Sequence, residues 1–158
     1  MTVAPNTFAD SLASLSITVT KPDGTTGTLE IRDLDDVGPV IYARDCPILY
    51  PQYEYQTGFS SERLSMGTDP FRETNWTANY YYAHAPIGAG RYGNEHASKI
   101  SANVKAICDG ILAGLSTLGV NDVEISGASE PTLVPGPDDE TFHGATIAIA
   151  VNDFRNQT

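Results

Sequence analysis

The chain is poor in cysteine, in basic residues and in long apolar runs, and each scarcity removes a class of protein. Two cysteines in 158 residues do not make a disulfide framework. Cys46 stands before a proline in an apolar run and Cys108 sits within a helical pattern, so both read as small buried hydrophobes. Lysine and arginine total 9 against 20 aspartates and glutamates, a net charge of −11. That surface repels phosphate over the distances that salt leaves unscreened. Tight DNA or RNA binding needs clustered cations to displace counterions and is disfavoured, although passing close to DNA without adhering is not. Acidity also serves plain solubility, so composition alone carries the matter no further. No apolar stretch reaches the roughly 20 residues of a membrane span. The first ten residues have neither the basic start nor the apolar core of a signal peptide. A reducing cytoplasm is therefore the expected place of synthesis. Asn75-Trp76-Thr77 and Asn156-Gln157-Thr158 match the glycosylation sequon and, with no secretion signal, are expected to be chance matches.

What is present suffices for one core: 41% of the residues are hydrophobic, in a length that suits a single domain spanning 1–158. Asn6 or Thr7 caps a predicted short helix to about Leu15, with Phe8, Leu12 and Leu15 on one face. Residues 17–20 and 28–31 alternate as strands around the turn Lys21-Pro22-Asp23-Gly24 and predict a hairpin. Residues 39–42 and 47–51 are apolar and proline-bounded, which confines them to strand starts, edges or extended passages. Residues 52–72 interleave Tyr53, Tyr55, Phe59, Leu64, Met66 and Phe71 with small and polar residues. This stretch reads as a long hairpin or an arm outside the core, and its aromatic content suits a subunit or partner interface.

Residues 75–84 are the best strand, with Trp76, Ala78, Tyr80 and Tyr82 on one side. Ile100, Val104, Ile107, Ile111, Leu115 and Leu118 recur at helical spacing over 97–118, and Gly119 is placed to end that helix. Gly110 and Gly114 each weaken it by roughly 1 kcal/mol relative to Ala and suggest a close approach to another element. Val123 and Ile125 mark a short strand, 128–139 reads as a loop, and 142–154 is the last strand, with Ile147, Ile149 and Val151 inward. Ala148 and Ala150 leave room on its other face. The order predicts an α+β fold, a mainly antiparallel sheet with one long helix packed across it and a short N-terminal helix.

Groups for catalysis are few. His84, His96 and His143 have no metal-ligand spacing with one another or with cysteine. His84 extends the Trp76–Tyr82 face and reads as a partly covered strand residue rather than a base. There is no nucleophile-elbow motif. Residues 88–93, Gly88-Ala89-Gly90-Arg91-Tyr92-Gly93, fit G-x-G-x-x-G between a strand and a helix, the dinucleotide fingerprint. They come late in the chain, without room for a doubly wound sheet, and the preceding strand alternates instead of being continuously apolar. A flexible turn is the preferred reading. A nucleotide- or small-molecule-binding enzyme built on this turn is the competing one. The acidic pairs in turns read as solvated surface, since the EF-hand spacing is missing. The expectation is no catalytic residue, no metal and no cofactor.

From Trp76 the chain resembles a known family. Trp76-Thr77-Ala78-Asn79-Tyr80-Tyr81-Tyr82-Ala83-His84-Ala85-Pro86-Ile87-Gly88-Ala89-Gly90-Arg91, followed by the long helix, is similar to tail terminator (tail completion) proteins of long-tailed bacteriophages. Upstream, Asp33-Leu34-Asp35 and Cys46-Pro47-Ile48-Leu49-Tyr50-Pro51 fit the same pattern. So does the closing strand His143-Gly144-Ala145-Thr146-Ile147-Ala148-Ile149-Ala150-Val151, and so does the opening helix running into residues 17–19. The turn region 21–27 is longer than the resemblance implies. The resemblance implies a small α+β subunit that closes into a ring, a hexamer, on the last ring of the tail tube. Such a ring stops tube growth, offers a surface to the head-side connector and lets DNA pass through its lumen without specific binding. The implied location is the virion, at the tail or neck, after assembly in the host cytoplasm. A head-tail adaptor or a tube subunit shares the same physics.

Overall fold

The computed structural model describes residues 5–66, 69–87, 93–120, 122–128 and 131–156, and the side chains of these except 61–66, 69–73, 93–95, 126–128 and 153–156. The chain opens with helix α1 (Pro5–Ala13), which buries Phe8, Ala9 and Leu12. Strand β1 (Thr18–Thr20) pairs antiparallel with β2 (Thr26–Thr28) across the turn at Gly24. The predicted second arm is thus divided. Leu29 enters the core, and the chain then leaves β1 to form β3 (Glu30–Ile31), parallel to the start of β4 (Ile48–Met66).

Residues 39–42 form no strand. Buried Ile41 donates its N–H to Glu140 Oε1 (2.9 Å), and a 3-10 turn, Ala43–Asp45, follows. Strand β5 (Asp69–Pro86) pairs with β4 from Ile48↔Ala83 to Met66↔Asp69, so 52–72 is mostly one long hairpin. Its buried side carries Trp76, Ala78, Tyr80 and Tyr82, as the alternation predicts.

The expected helix over 97–118 is two pieces, α2 (Gly93–Ala113) and α3 (Leu115–Leu118). The close approach at its glycines is to the chain's own N-terminal segment. A Cβ at Gly110 would come 2.8 Å from Ile17 Cγ1, and one at Gly114 2.8 Å from Leu15 Cδ2. Gly119 closes α3 in the left-handed conformation, φ 73°, and donates its N–H to Leu115 O (3.0 Å). Strand β6 (Asp122–Ala128) follows. The predicted loop 128–139 instead contains β7 (Thr132–Pro135), which pairs with the start of β8 (Thr141–Asn156) because Val134 is buried beneath it. Pro131 precedes β7 and Pro135 is its last residue, positions where an edge strand tolerates proline.

The fold is α+β. One six-stranded, mainly antiparallel sheet has the order β3-β4-β5-β8-β6, with β7 also on β8. One core cluster joins Phe8 and Leu12 of α1, Ile100, Ile107 and Ile111 of α2, and Tyr80, Tyr82, Ile147 and Ile149 of the sheet. Alternation sends neighbouring residues of β4 to opposite faces: Leu49 belongs to this cluster, whereas Ile48 and Tyr50 join Ile41, Ala83, Val134 and Phe142 in a second one. Cys46 packs against that second cluster, and burial pushes its thiol up to about 12. Cys46 and Cys108 are both half-buried free thiols.

Candidate functional site

The aromatic hairpin is shaped by a break in its own ladder. Between Pro51 and Gln56 the β4–β5 register slips, and side chains of neighbouring residues replace the lost bonds. Gln52 Nε2 donates to Tyr80 O (3.2 Å). Asn79 Nδ2 donates to Glu54 O (3.0 Å) and to Thr57 Oγ1 (3.0 Å). A bulge of this kind re-aims the side chains it carries. It turns Tyr53 fully into solvent and drives Tyr55 into the core, where it is 5% exposed. The Tyr55 ring meets Tyr80 edge-on at 5.6 Å and Trp76 at 5.8 Å, and its hydroxyl donates to Pro5 O (2.9 Å) at the start of α1.

The expectation that Tyr55 lies outside the core is therefore corrected. The reason is the slipped register, which two-residue alternation does not foresee. Phe59 is 55% exposed, on a run from Gln56 to Ser60 in which every residue is exposed. The side chains of Leu64, Met66 and Phe71 lie outside the described residues; their backbones sit in the hairpin ladder, with Leu64 opposite Phe71.

Beyond Tyr55 on β4 and Trp76 on β5 no described side chain of the hairpin joins either core cluster, yet the backbone pairing continues. From Ser60↔Asn75 to Met66↔Asp69 it runs on for about 20 Å at the usual rise per residue. Strand β8 accompanies β5 as far as Phe71↔Asn156. The outer edge of β4 pairs with β3 only at Ile48 and Leu49. Among the described residues its edge from Pro51 to Met66 therefore has no strand partner, and such an edge is a template for another strand.

A second grouping was invisible in the sequence. His84 on β5, His96 on α2 and His143 on β8 stand in a row, the first pair edge-on with ring centroids 5.2 Å apart and the second tilted with centroids 5.3 Å apart. His84 and His96 are buried, so the expectation that His84 is only partly covered is corrected. Asn103 Nδ2 donates to Thr20 O (2.7 Å) and to the Tyr82 hydroxyl (2.6 Å), and Asn103 Oδ1 accepts from Thr20 N (2.8 Å). The Tyr82 hydroxyl lies 2.8 Å from His84 Nδ1. Because that hydroxyl accepts from Asn103, its own proton points to His84, which is neutral with its proton on Nε2. Burial, then the neighbouring His96, Lys99 and His143, lower the His84 pKa from 6.5 to about 4. This polar chain ties β1, β5 and α2 together through neutral groups.

Among the described residues no group of three or more His, Cys, Asp or Glu is placed to hold a metal ion. The only sequence signal for the row is its place at the ends of elements: His143 opposite Ala85, and His96 early in α2. Residues 88–92 of the glycine-rich turn lie outside the described residues; α2 begins at Gly93. Among the described residues no helix is long and apolar enough to cross a membrane. Compared with known proteins, the chain matches no family model and none of the curated proteins.

Proposed function

We propose that this protein is a non-catalytic assembly subunit, a ring-forming tail terminator of a long-tailed bacteriophage. It caps the head-proximal end of the tail tube, stops tube polymerisation and presents a surface to the head connector. The observation that carries the assembly part is the long hairpin of β4 and β5, which continues past the core with an edge that has no strand partner among the described residues and exposes Tyr53 and Phe59. Exposed aromatics and an open edge on an extended element suit contacts between subunits. A heterologous contact of this kind closes into a ring when its rotation permits, and a hexamer is the expected number. The terminator part rests on the sequence resemblance. A net charge of −11 suits a lumen through which DNA slides without adhering. The subunit belongs in the virion, and one long helix laid across the sheet braces it.

Mass photometry of the purified chain, alone and with the tail-tube protein of the same phage, tests the assembly reading. A ring-sized species, alone or appearing with tube protein, is expected. A permanent monomer in both samples overturns it. Removing the gene separates the terminator from an adaptor or a tube subunit: tails of abnormal length, or tails that fail to join heads, are expected. Normal length and normal joining would sink the terminator assignment.

A further inference from the structure

On the sheet face opposite α2, a groove of about 660 Å³ opens between two loops. Its floor is Tyr50, Gln52 and Tyr81, one wall is Leu34 and Val37, and the other is Pro135 and Pro137. Tyr53 and Glu54 stand at its mouth, where the β4 bulge places them. The Tyr50 and Tyr81 rings are 5.8 Å apart and tilted by 54°, a shallow V. The Tyr50 hydroxyl is tied to Pro135 O (2.6 Å), which holds that ring in place and links the floor to the second wall.

The charge around the groove is of one sign. Asp35 and Asp36 lie between the residues of the first wall, and Asp138 and Asp139 follow the second. All four are exposed, as is Glu54, and none of the five makes an ion pair among the described residues. The nearby Asp33 and Glu140 carboxylates are committed to backbone N–H groups of Asp35, Asp36, Ile41 and Asp138. Arg32, beneath the first loop, is already held by Val37 O, Glu30 and Asp45. The acidic field is felt at Asp10, whose carboxyl is raised by desolvation first and then by Asp33, Asp35 and Asp36.

We propose that this groove binds a basic, extended segment of a partner protein, with a Lys or Arg end group over the part-exposed Tyr81 ring beside Glu54 and its aliphatic stem along the proline and leucine walls. Aromatic faces and a carboxylate at a groove mouth are the chemistry that selects a cation. A second copy of this chain is a poor occupant, since it brings 20 acidic residues against 9 basic ones. The groove adjoins the start of the open hairpin edge and shares Tyr53 with it, but its walls lie on the two loops, so it stands whether or not the chain closes into a ring.

The test titrates the full chain into a fluorescein-labelled octapeptide of alternating Arg and Pro, with the Glu-Pro octapeptide as control. The prolines keep both probes extended. Fluorescence anisotropy is expected to report binding of the Arg-Pro peptide alone, weakening with salt. Amide NMR shifts should gather at Gln52, Tyr53, Glu54 and Tyr81. Glu54→Lys should weaken binding at least about tenfold, and Tyr53→Ala about threefold, the scale of a cation over aromatic faces beside a charge. Glu124→Lys, which makes the same charge change on exposed β6 across the sheet, should cost less than about twofold. Equal losses at Glu54 and Glu124, shifts scattered over the acidic surface, or no binding of the Arg-Pro peptide would each overturn the proposal. Both charge variants change exposed residues, so a thermal melt matching the parent confirms that each is folded.

Discussion

The two halves of the β4–β5 hairpin belong to one antiparallel pairing, and they differ in what lies beside and over them. The near half, up to Tyr55 and from Trp76, is packed on one face by α1 and α2. At its base it is also packed on the other, by Ile41, Val134 and Phe142. In the far half the β4 residues from Gln56 to Ser60 are all exposed, and an edge is open. Backbone pairing alone does not make a strand a core strand. Burial of its side chains does, because apolar burial is the main favourable term and a two-stranded ribbon is only marginally stable by itself. The near half thus stabilises the subunit, and the far half is stock for contacts with something else.

The sharpest way to break this contrast is a charge in the near core. Ile107→Asp, at a fully buried position of α2, should cost at least about 4 kcal/mol and abolish the cooperative thermal transition seen by circular dichroism. A normal melt would mean that α2 does not bury the face assigned to it.

Next comes the pair that straddles the boundary. Tyr55→Ala removes a buried ring from between Trp76 and Tyr80 and should cost about 3 kcal/mol in urea unfolding. Phe59→Ala, a short way along the same strand, should change stability by less than about 0.5 kcal/mol while reducing the assembled species in mass photometry. Similar stability losses at both positions would erase the boundary.

The near half also holds the titrating device. The His84 pKa is about 4 in the folded chain against 6.5 ordinarily, so between these values the unfolded state binds more protons. The stability this neutral histidine preserves is complete above pH 6.5 and is lost as pH falls toward 4, by on the order of 3 kcal/mol. Urea midpoints measured across that window should fall with acid, and a His84→Gln variant should flatten the slope. An unchanged slope in the variant would move the effect to other groups.

A small effect on stability is also expected when the far half is removed as a whole. Replacing residues 58–73 with an Asn-Gly turn should lower the melting temperature by only a few degrees, equivalent to about 1 kcal/mol, while abolishing assembly. A large loss of stability would show the extension to be part of the core.

Much of the near half was legible along the chain. The alternation of Trp76, Ala78, Tyr80 and Tyr82, the helical recurrence of Ile100, Ile107 and Ile111, and the stop at Gly119 are local patterns set by side-chain periodicity and backbone conformation, and the structure follows them. The failures share one cause. By sequence Tyr55 reads as part of a hairpin or arm outside the core, yet one register slip between Pro51 and Gln56 sends it inward. Residues 132–135 looked like loop because their neighbours are Pro and Gly, yet burial of Val134 recruits them to the sheet. The second arm of the first hairpin was divided by a pairing with β4 some 18 residues away, counting from Glu30 to Ile48 as 48 − 30.

The sequence by itself determined the class of fold, the apolar faces of β5, β8 and α2, the acidic surface and the scarcity of reactive groups. Each of these follows from composition or from a period of two or 3.6 residues that neighbouring positions display. Only the tertiary structure decided which tyrosine is core and which is surface, that three histidines distant in sequence stand in a row, and that two acidic loops face each other across a tyrosine floor. Those arrangements depend on strand register and on contacts between distant segments, and no run of adjacent residues encodes them.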